Sequence, residues 1–221
     1  MGLEHLRNVF GSYSKALEIA LVKRGIKPVV RQGFYDNEIG KVKDYCRANG
    51  LAYETAPYKV VIADPNKRFS NKGFKARVDD PRRGMYFIYI SRDENKAATA
   101  RVLEMKDDKR RLGLLLGYPE CCVEFFIENF RERSKLDNNY TVPALKNSQG
   151  NRFPFFNNIF KRHKDAVLIS HFPHSFDCEA SKNIAKRNLR LLDDLDPAIA
   201  TKFIFELKGK IRIGNREIEF Y

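Results

Sequence analysis
Three of the four cysteines of this 221-residue chain fall in two short segments, Gly117-Tyr118-Pro119-Glu120-Cys121-Cys122 and His171-Phe172-Pro173-His174-Ser175-Phe176-Asp177-Cys178. Each segment reads as a turn feeding the first turn of a helix, so any fold adopted by the chain has to present both helix starts. A helix start carries unpaired backbone N–H groups and the positive end of the macrodipole. A cysteine placed there is pushed toward thiolate, the form that binds metals and attacks electrophiles. Two such starts with His171 and His174 beside them make a candidate site.

The rest of the chain mixes helices and strands. From Tyr13 to Arg24 the apolar residues Ala16, Leu17, Ile19, Ala20 and Leu21 recur at helical spacing, and Gly25 ends the pattern. Pro28 to Arg31 reads as a short strand, and Asp36 to Asn49 as a helix with Asp36 as N-cap. Tyr58 to Ala63 and Met85 to Ser91 are β-rich and read as strands joined by a long polar connection. Asp93 to Leu116 reads as one long helix or two abutting ones. Pro119 sits where proline is welcome, at the first position of the next helix, which runs to about Arg133. Ser134 to Asn151 is rich in Asn, Ser and Lys and reads as a loop. The unbroken apolar run Ala166 to Ser170 reads as a buried strand that delivers His171. A helix from about Asp177 to Leu195, a shorter one after Pro197 and a closing hairpin turned at Gly214-Asn215 complete the chain. Without regular strand–helix alternation the expected class is α+β, a mixed sheet with several packed helices. One compact unit over residues 1–221 is expected, with lobes at 1–92 and 93–221 as the alternative division.

No apolar run approaches the ~20 residues needed to span a bilayer. The start, Met1 to Phe10, mixes Glu4, His5 and Arg7 with single apolar residues and lacks the apolar core of a signal peptide. A cytoplasmic location is the resulting expectation. Four cysteines are too few for a secreted disulfide scaffold, and in a reducing compartment clustered cysteines point to metal or catalysis. The formal charge of +13, from 41 Lys and Arg against 28 Asp and Glu, favours a polyanionic partner.

Turning about 100° per residue along the helix after Pro119 puts Glu120, Glu124 and Glu128 on one stripe and Cys122 with Phe126 nearly opposite. Cys122 is therefore expected to be buried and Cys121 accessible; Cys178 resembles Cys121. A disulfide between the neighbours Cys121 and Cys122 would be strained, whereas a bond from either to Cys178 fits. Zinc wants its sulfurs roughly 3.8 Å apart, from tetrahedral geometry at Zn–S of ~2.3 Å, and helical neighbours are expected to diverge. If both adjacent cysteines bind one centre, an iron–sulfur cluster is favoured over zinc. If only Cys121 binds, then Cys121, Cys178 and His174 or His171 form a three-ligand zinc or iron site with an open position. His171, Asp177 and Glu120 stand as candidate acid–base groups, with Glu179 also bordering the site. Against all of this, free cysteine is among the most buried residue types and can be structural. Cys46, outside both segments, reads as structural, and His5 and His163 as solvent-facing.

The two segments Gly117 to Phe126 and His171 to Glu179 resemble the signature of an archaeal protein family described only as a domain of unknown function. In that pattern the second motif commonly reads His-x-Pro-Cys-Ser, and His174 stands here where the cysteine would be. The resemblance thus implies a fourth soft ligand changed to imidazole, which argues against an all-cysteine cluster. It brings no activity with it.

Between Asn66 and Gly84 lie Lys67, Arg68, Lys72, Lys75, Arg77, Arg82 and Arg83 against only Asp79 and Asp80, with Phe69 and Phe74 interleaved. This suits nucleic acid, cations on phosphates and rings on unpaired bases; a solvated hairpin is the competing reading. In the second such patch, Arg152 to Lys164, Phe155, Phe156, Ile159 and Phe160 read as core. No Walker loop, dinucleotide fingerprint, zincin motif or nucleophile elbow occurs. The leading expectation is a metal- or iron–sulfur-dependent enzyme acting on RNA or nucleotides, with Cys121, Cys178, His174 and Cys122 as ligands. The alternatives are a non-enzymatic RNA- or ribosome-binding protein with structural cysteines, and a thiol oxidoreductase using Cys121 and Cys178.

Overall fold
The computed structural model describes residues 2–63 and 72–221 and has an α+β fold. Strands β1 (Val29–Tyr35), β2 (Ala52–Ile62), β3 (Gly73–Ala76) and β4 (Met85–Ser91) form an antiparallel sheet in the order β1-β4-β2-β3. Its side chains alternate between two buried faces. Val30, Phe34, Ile88 and Ile90 pack into the main core with helices α1 (Leu3–Phe10), α2 (Tyr13–Lys23) and α3 (Asp36–Ala48). Val29, Tyr58 and Tyr89 face the other way, against Ala100 of α4 (Glu94–Met105) and Leu116. Helices on both faces explain why the strands read as near-continuous apolar runs.

After α4 the chain breaks at Asp107, in the left-handed region at φ 56°, before α5 (Lys109–Leu115). Asp93 and Asp108 cap the two helices through their carboxylates, so the stretch from Asp93 to Leu116 is two helices. Gly117, at φ 77°, reverses the chain, and α6 (Glu120–Leu136) then starts with Pro119 as the flanking residue and not as the first helical one. Helices α5 and α6 fit closely because Gly113 has no side chain: a Cβ there would stand 2.8 Å from a methyl of Val123.

The second half is organised by α8 (Glu179–Leu195), α9 (Pro197–Leu207) and a small sheet of order β5-β7-β6. There β6 (Gly209–Ile213) and β7 (Arg216–Phe220) form the expected hairpin, and β5 (Arg152–Phe153) pairs with β7 in parallel. Phe153, Phe160, Phe176 and Phe220 meet ring to ring beneath it. One buried apolar cluster runs from Leu3 to Phe220, and Phe155 and Ile159 belong to it as expected.

Several expectations need correction. The stretch 134–151 is not all loop but contains α7 (Thr141–Asn147). The segment 166–170 is buried yet is not a strand: it pairs with no strand, and the Leu168 carbonyl instead accepts a hydrogen bond from the Asn188 amide at 2.8 Å. An apolar run without alternation fixes burial, not backbone type. Asp36 is the first residue of α3, preceded by Tyr35, whose N–H donates to Glu38 at 2.9 Å. Among the described residues no helix is long and apolar enough to cross a membrane.

The α5–α6 contact gives a direct test. Alanine has the higher helix propensity, by about 1 kcal/mol, but at position 113 its methyl must displace Val123. Gly113→Ala should therefore lower stability by about 1–2 kcal/mol in urea unfolding, with an unchanged m value.

Candidate metal centre
The start of α6 and the loop leading into α8 meet. Their ligand atoms, Sγ of Cys121, Cys122 and Cys178 and a ring nitrogen of His174, all lie within 4.8 Å of one another, and these four side chains could hold a metal ion. The three sulfurs form a nearly equilateral triangle, with separations of 3.9 Å for Cys121–Cys122, 3.9 Å for Cys121–Cys178 and 3.8 Å for Cys122–Cys178. His174 Nδ1 lies 3.7 Å from the Cys122 sulfur. The expected divergence of helical neighbours is thus overturned. Helical Cβ atoms tilt toward the N-terminus, and the short cysteine arms carry both sulfurs toward the end of α6, where the loop lies.

On α6 exposure follows the helix geometry, with Cys122 buried and Cys121 exposed; Cys178, expected to resemble Cys121, is instead buried because it is the N-cap packed against Cys122 and Ser181, and His174 is partly buried. Cys178 is the N-cap of α8, and its sulfur accepts from the Ser181 N–H at 3.5 Å. The His174 N–H points at the Cys122 sulfur at 3.4 Å. Without an ion the thiols share their protons unequally. Cys178 is brought down to about 4, first by the Cys122 S–H that donates to it and then by Ser181. Cys122 is pushed well up as that donor and by burial, and burial pushes Cys121 up.

The loop is pinned by residues for which the motif reading made no provision. Asn157 Nδ2 donates to the carbonyls of Phe176 (3.1 Å) and Cys178 (3.0 Å), and Ser148 Oγ accepts from the Phe176 N–H at 2.8 Å. Ser181 Oγ lies 3.2 Å from the Cys122 sulfur and 2.8 Å from His171 Nε2. Its place three residues after Cys178, where a helix start leaves donors free, was the available signal. Asn157 and Ser148 carry none.

His171 is therefore not among the four converging ligands but stands behind them through Ser181. Burial, then the charges of Lys27 and Arg162, bring it down to about 3, so it is neutral at physiological pH. Its ring packs on Tyr118 at 5.2 Å between centroids. Glu120 reaches Arg110 at 2.7 Å on the surface. Asp177 has one buried carboxylate oxygen without a hydrogen-bond partner. Cys46 is fully buried, and burial pushes it up to about 12; His5 and His163 are exposed, as expected.

In the basic connection, Lys67 and Arg68 lie outside the described residues, as does Phe69. Arg77 pairs with Asp79 at 2.9 Å and Arg82 with Asp80 at 2.6 Å, so both cations are neutralised locally. Lys72 donates to the Lys135 carbonyl. Lys75 lies over the Tyr58 ring and Arg83 over Tyr35, while Arg82 covers the exposed Phe74.

Over residues 95–206, slightly more than half of the chain, the sequence matches the family described as protein of unknown function (DUF483). That span holds all four converging ligands. No curated protein and no solved structure matches the chain.

The unequal sharing of protons can be measured. Metal-free protein should show one thiolate by ultraviolet absorbance at pH 7, lost on acidification well below the ordinary thiol range and missing from Cys178→Ser. Thiolate appearing only near the ordinary thiol value of about 8.5 would refute this account.

Proposed function
The chain belongs to the DUF483 family of proteins of unknown function, and we propose that it is a metalloprotein in which Cys121, Cys122, Cys178 and His174 hold a single zinc ion. The sulfur triangle carries this reading. A tetrahedral ion with Zn–S of ~2.3 Å and Zn–N of ~2.0 Å separates its sulfurs by ~3.8 Å and sulfur from nitrogen by ~3.5 Å. The sulfurs here stand 3.8–3.9 Å apart and the imidazole nitrogen 3.7 Å from one of them. An iron–sulfur cluster places a separate iron behind each thiolate, so its ligand atoms spread wider than those of one ion. The same distances therefore favour zinc over a cluster.

Four protein ligands close a tetrahedral sphere, the arrangement of structural zinc sites. The centre's role is then to clasp the start of α6 to the loop before α8. Ser181 and His171 orient Cys122 from behind, the outer-shell support that metal ligands characteristically have. In this reading enzymatic work, on a nucleotide or RNA as the charge of +13 favours, belongs beside the ion and not on it. One observation favours a second reading. Cys121 is the exposed ligand, and its departure would open a position for substrate, making the centre itself catalytic.

Anaerobically purified protein should carry about one zinc per chain, with no broad visible band, and cobalt exchange should give the spectrum of a tetrahedral thiolate site. Folded metal-free protein would refute the centre, and iron with a visible band would refute zinc. Because Cys121 and Cys122 keep their protons at neutral pH while Cys178 does not, binding should expel about two protons, so affinity rises about 100-fold per pH unit near neutrality. Calorimetry in buffers of different ionisation enthalpy measures this. Ser181→Ala should weaken the site by about 10- to 100-fold while leaving the ligand set intact.

A further inference from the structure
Behind His171 and Tyr118, on the side away from the sulfurs, lies a cleft of about 620 Å³ between α2, β1 and α8, a volume suited to a small organic ligand. Its charges do not balance. Lys27 and Glu18 pair at 3.0 Å, Arg31 is held by both oxygens of Glu104, and the Asp165 carboxylate accepts from the N–H groups of Tyr13 and Ser14 at the start of α2. Glu18 and Glu104 are each paired with a cation, and the charge of Asp165, which no cation pairs among the described residues, acts on Lys15 together with those of Glu38 and Glu18. Three cations on three elements remain without a carboxylate in salt-bridge range among the described residues. Lys15 donates only to the Gly33 carbonyl (2.7 Å) and lies over the Phe34 ring. Arg162 lies over Phe172, and Arg187 has only the Asn188 amide oxygen at 3.5 Å.

The cleft also holds two unsatisfied polar groups. Gln32 is 4 % exposed. Its Nε2 donates to the Lys15 carbonyl and to Glu18, but its Oε1 is buried with no hydrogen-bond partner. Ser14 Oγ, on the same cleft, is likewise buried and unpartnered. Buried polar atoms without partners, and the half-buried cations Lys15 and Arg162 without anions, destabilise the fold unless a ligand completes them.

We infer that this cleft binds a small phosphate monoester that also carries hydroxyl or amino donors, the chemistry shared by nucleotides and sugar phosphates. A phosphate monoester brings a charge of about −1.5 to −2 and three acceptor oxygens, which suits three unpaired cations set against the one unpaired carboxylate of Asp165 better than a single carboxylate does. The donors of the same molecule fall to Gln32 Oε1 and Ser14 Oγ. The site rests on the proposed metal centre only through the shared wall of His171 and Tyr118, since the cations and the orphaned acceptors lie on other residues.

Calorimetry on the 221-residue chain, with metal content measured on the same sample, tests this using AMP, ribose 5-phosphate, adenosine and inorganic phosphate. AMP or ribose 5-phosphate should bind at least about 10-fold more tightly than adenosine or phosphate alone, since both halves of the site contribute. Binding of AMP over ribose 5-phosphate identifies a nucleotide, and equal binding a sugar phosphate. Arg162→Gln should weaken binding about 10-fold or more, and Arg187→Gln, at an exposed position where the fold is not at stake, about 3-fold. Adenosine binding as well as AMP, no binding of either phosphate ester, or binding indifferent to Arg187→Gln and to Gln32→Met would each overturn the site. A metal-free sample that still binds AMP would refute the metal centre and leave the cleft standing. A metal-loaded sample that binds nothing would do the reverse.

Discussion
The candidate centre depends on keeping an irregular stretch of chain, residues 165–178, buried between helices. Buried backbone outside helices and sheets has no internal hydrogen-bond partners, and each unsatisfied group costs about 1–3 kcal/mol. Here side chains supply what a ladder would. Asn188 meets the Leu168 carbonyl, Asn147 that of His174, Asn157 those of Phe176 and Cys178, and Ser148 the Phe176 N–H. The apolar residues of the same stretch, Ala166, Leu168, Ile169 and Phe176, anchor it in the main core. Held at both levels, the loop can present His174 and Cys178 to the start of α6 in one geometry.

Three sulfurs within 4 Å of one another cannot all be ionised without a cation. The contacts favour the charge on Cys178 at the start of α8, lowered by the neighbouring Cys122 thiol and Ser181, while Cys121 and Cys122 are pushed up. That is also why no disulfide is needed to explain the proximity. The same contacts that stabilise a thiolate in the absence of metal shape a soft, anionic pocket of the kind a thiophilic ion completes, and four protein ligands would leave little of its charge to solvent.

Much of the framework was legible. Helix starts at Pro119 and before Glu179, the burial of Cys122, the exposure of Cys121 and the closing hairpin all follow from local rules of capping, periodicity and turn chemistry. What local rules miss is convergence. A turn of 100° per residue describes directions around an axis, and it misleads at a helix end, where short side chains tilt past the last turn. The residues pinning the loop were illegible for a different reason: Asn147 and Ser148 sit in a polar stretch whose composition says loop, Asn157 in an aromatic one whose composition says core, and only tertiary structure gives them backbone groups to satisfy. The count of cations is likewise not the whole electrostatics of the basic segment: Arg77 and Arg82, which look like phosphate contacts in the sequence, each pair with an aspartate two residues away, Asp79 and Asp80.

Between the cleft and the sulfurs stand His171 and then Ser181, and their chemistry explains how a cation-attracting group and a cationic cleft can adjoin. The sulfurs attract a cation, whereas the cleft already carries surplus positive charge from Lys15, Arg162 and Arg187. A protonated histidine between them would repel both. Burial and the neighbouring Lys27 and Arg162 keep His171 neutral, so it serves as a hydrogen-bonding partition. Its Nε2 reaches Ser181, and through it Cys122, while its ring lies on Tyr118 at the cleft. His171 thus links Tyr118 at the cleft to a sulfur ligand through two contacts, His171–Ser181 and Ser181–Cys122, without itself carrying charge.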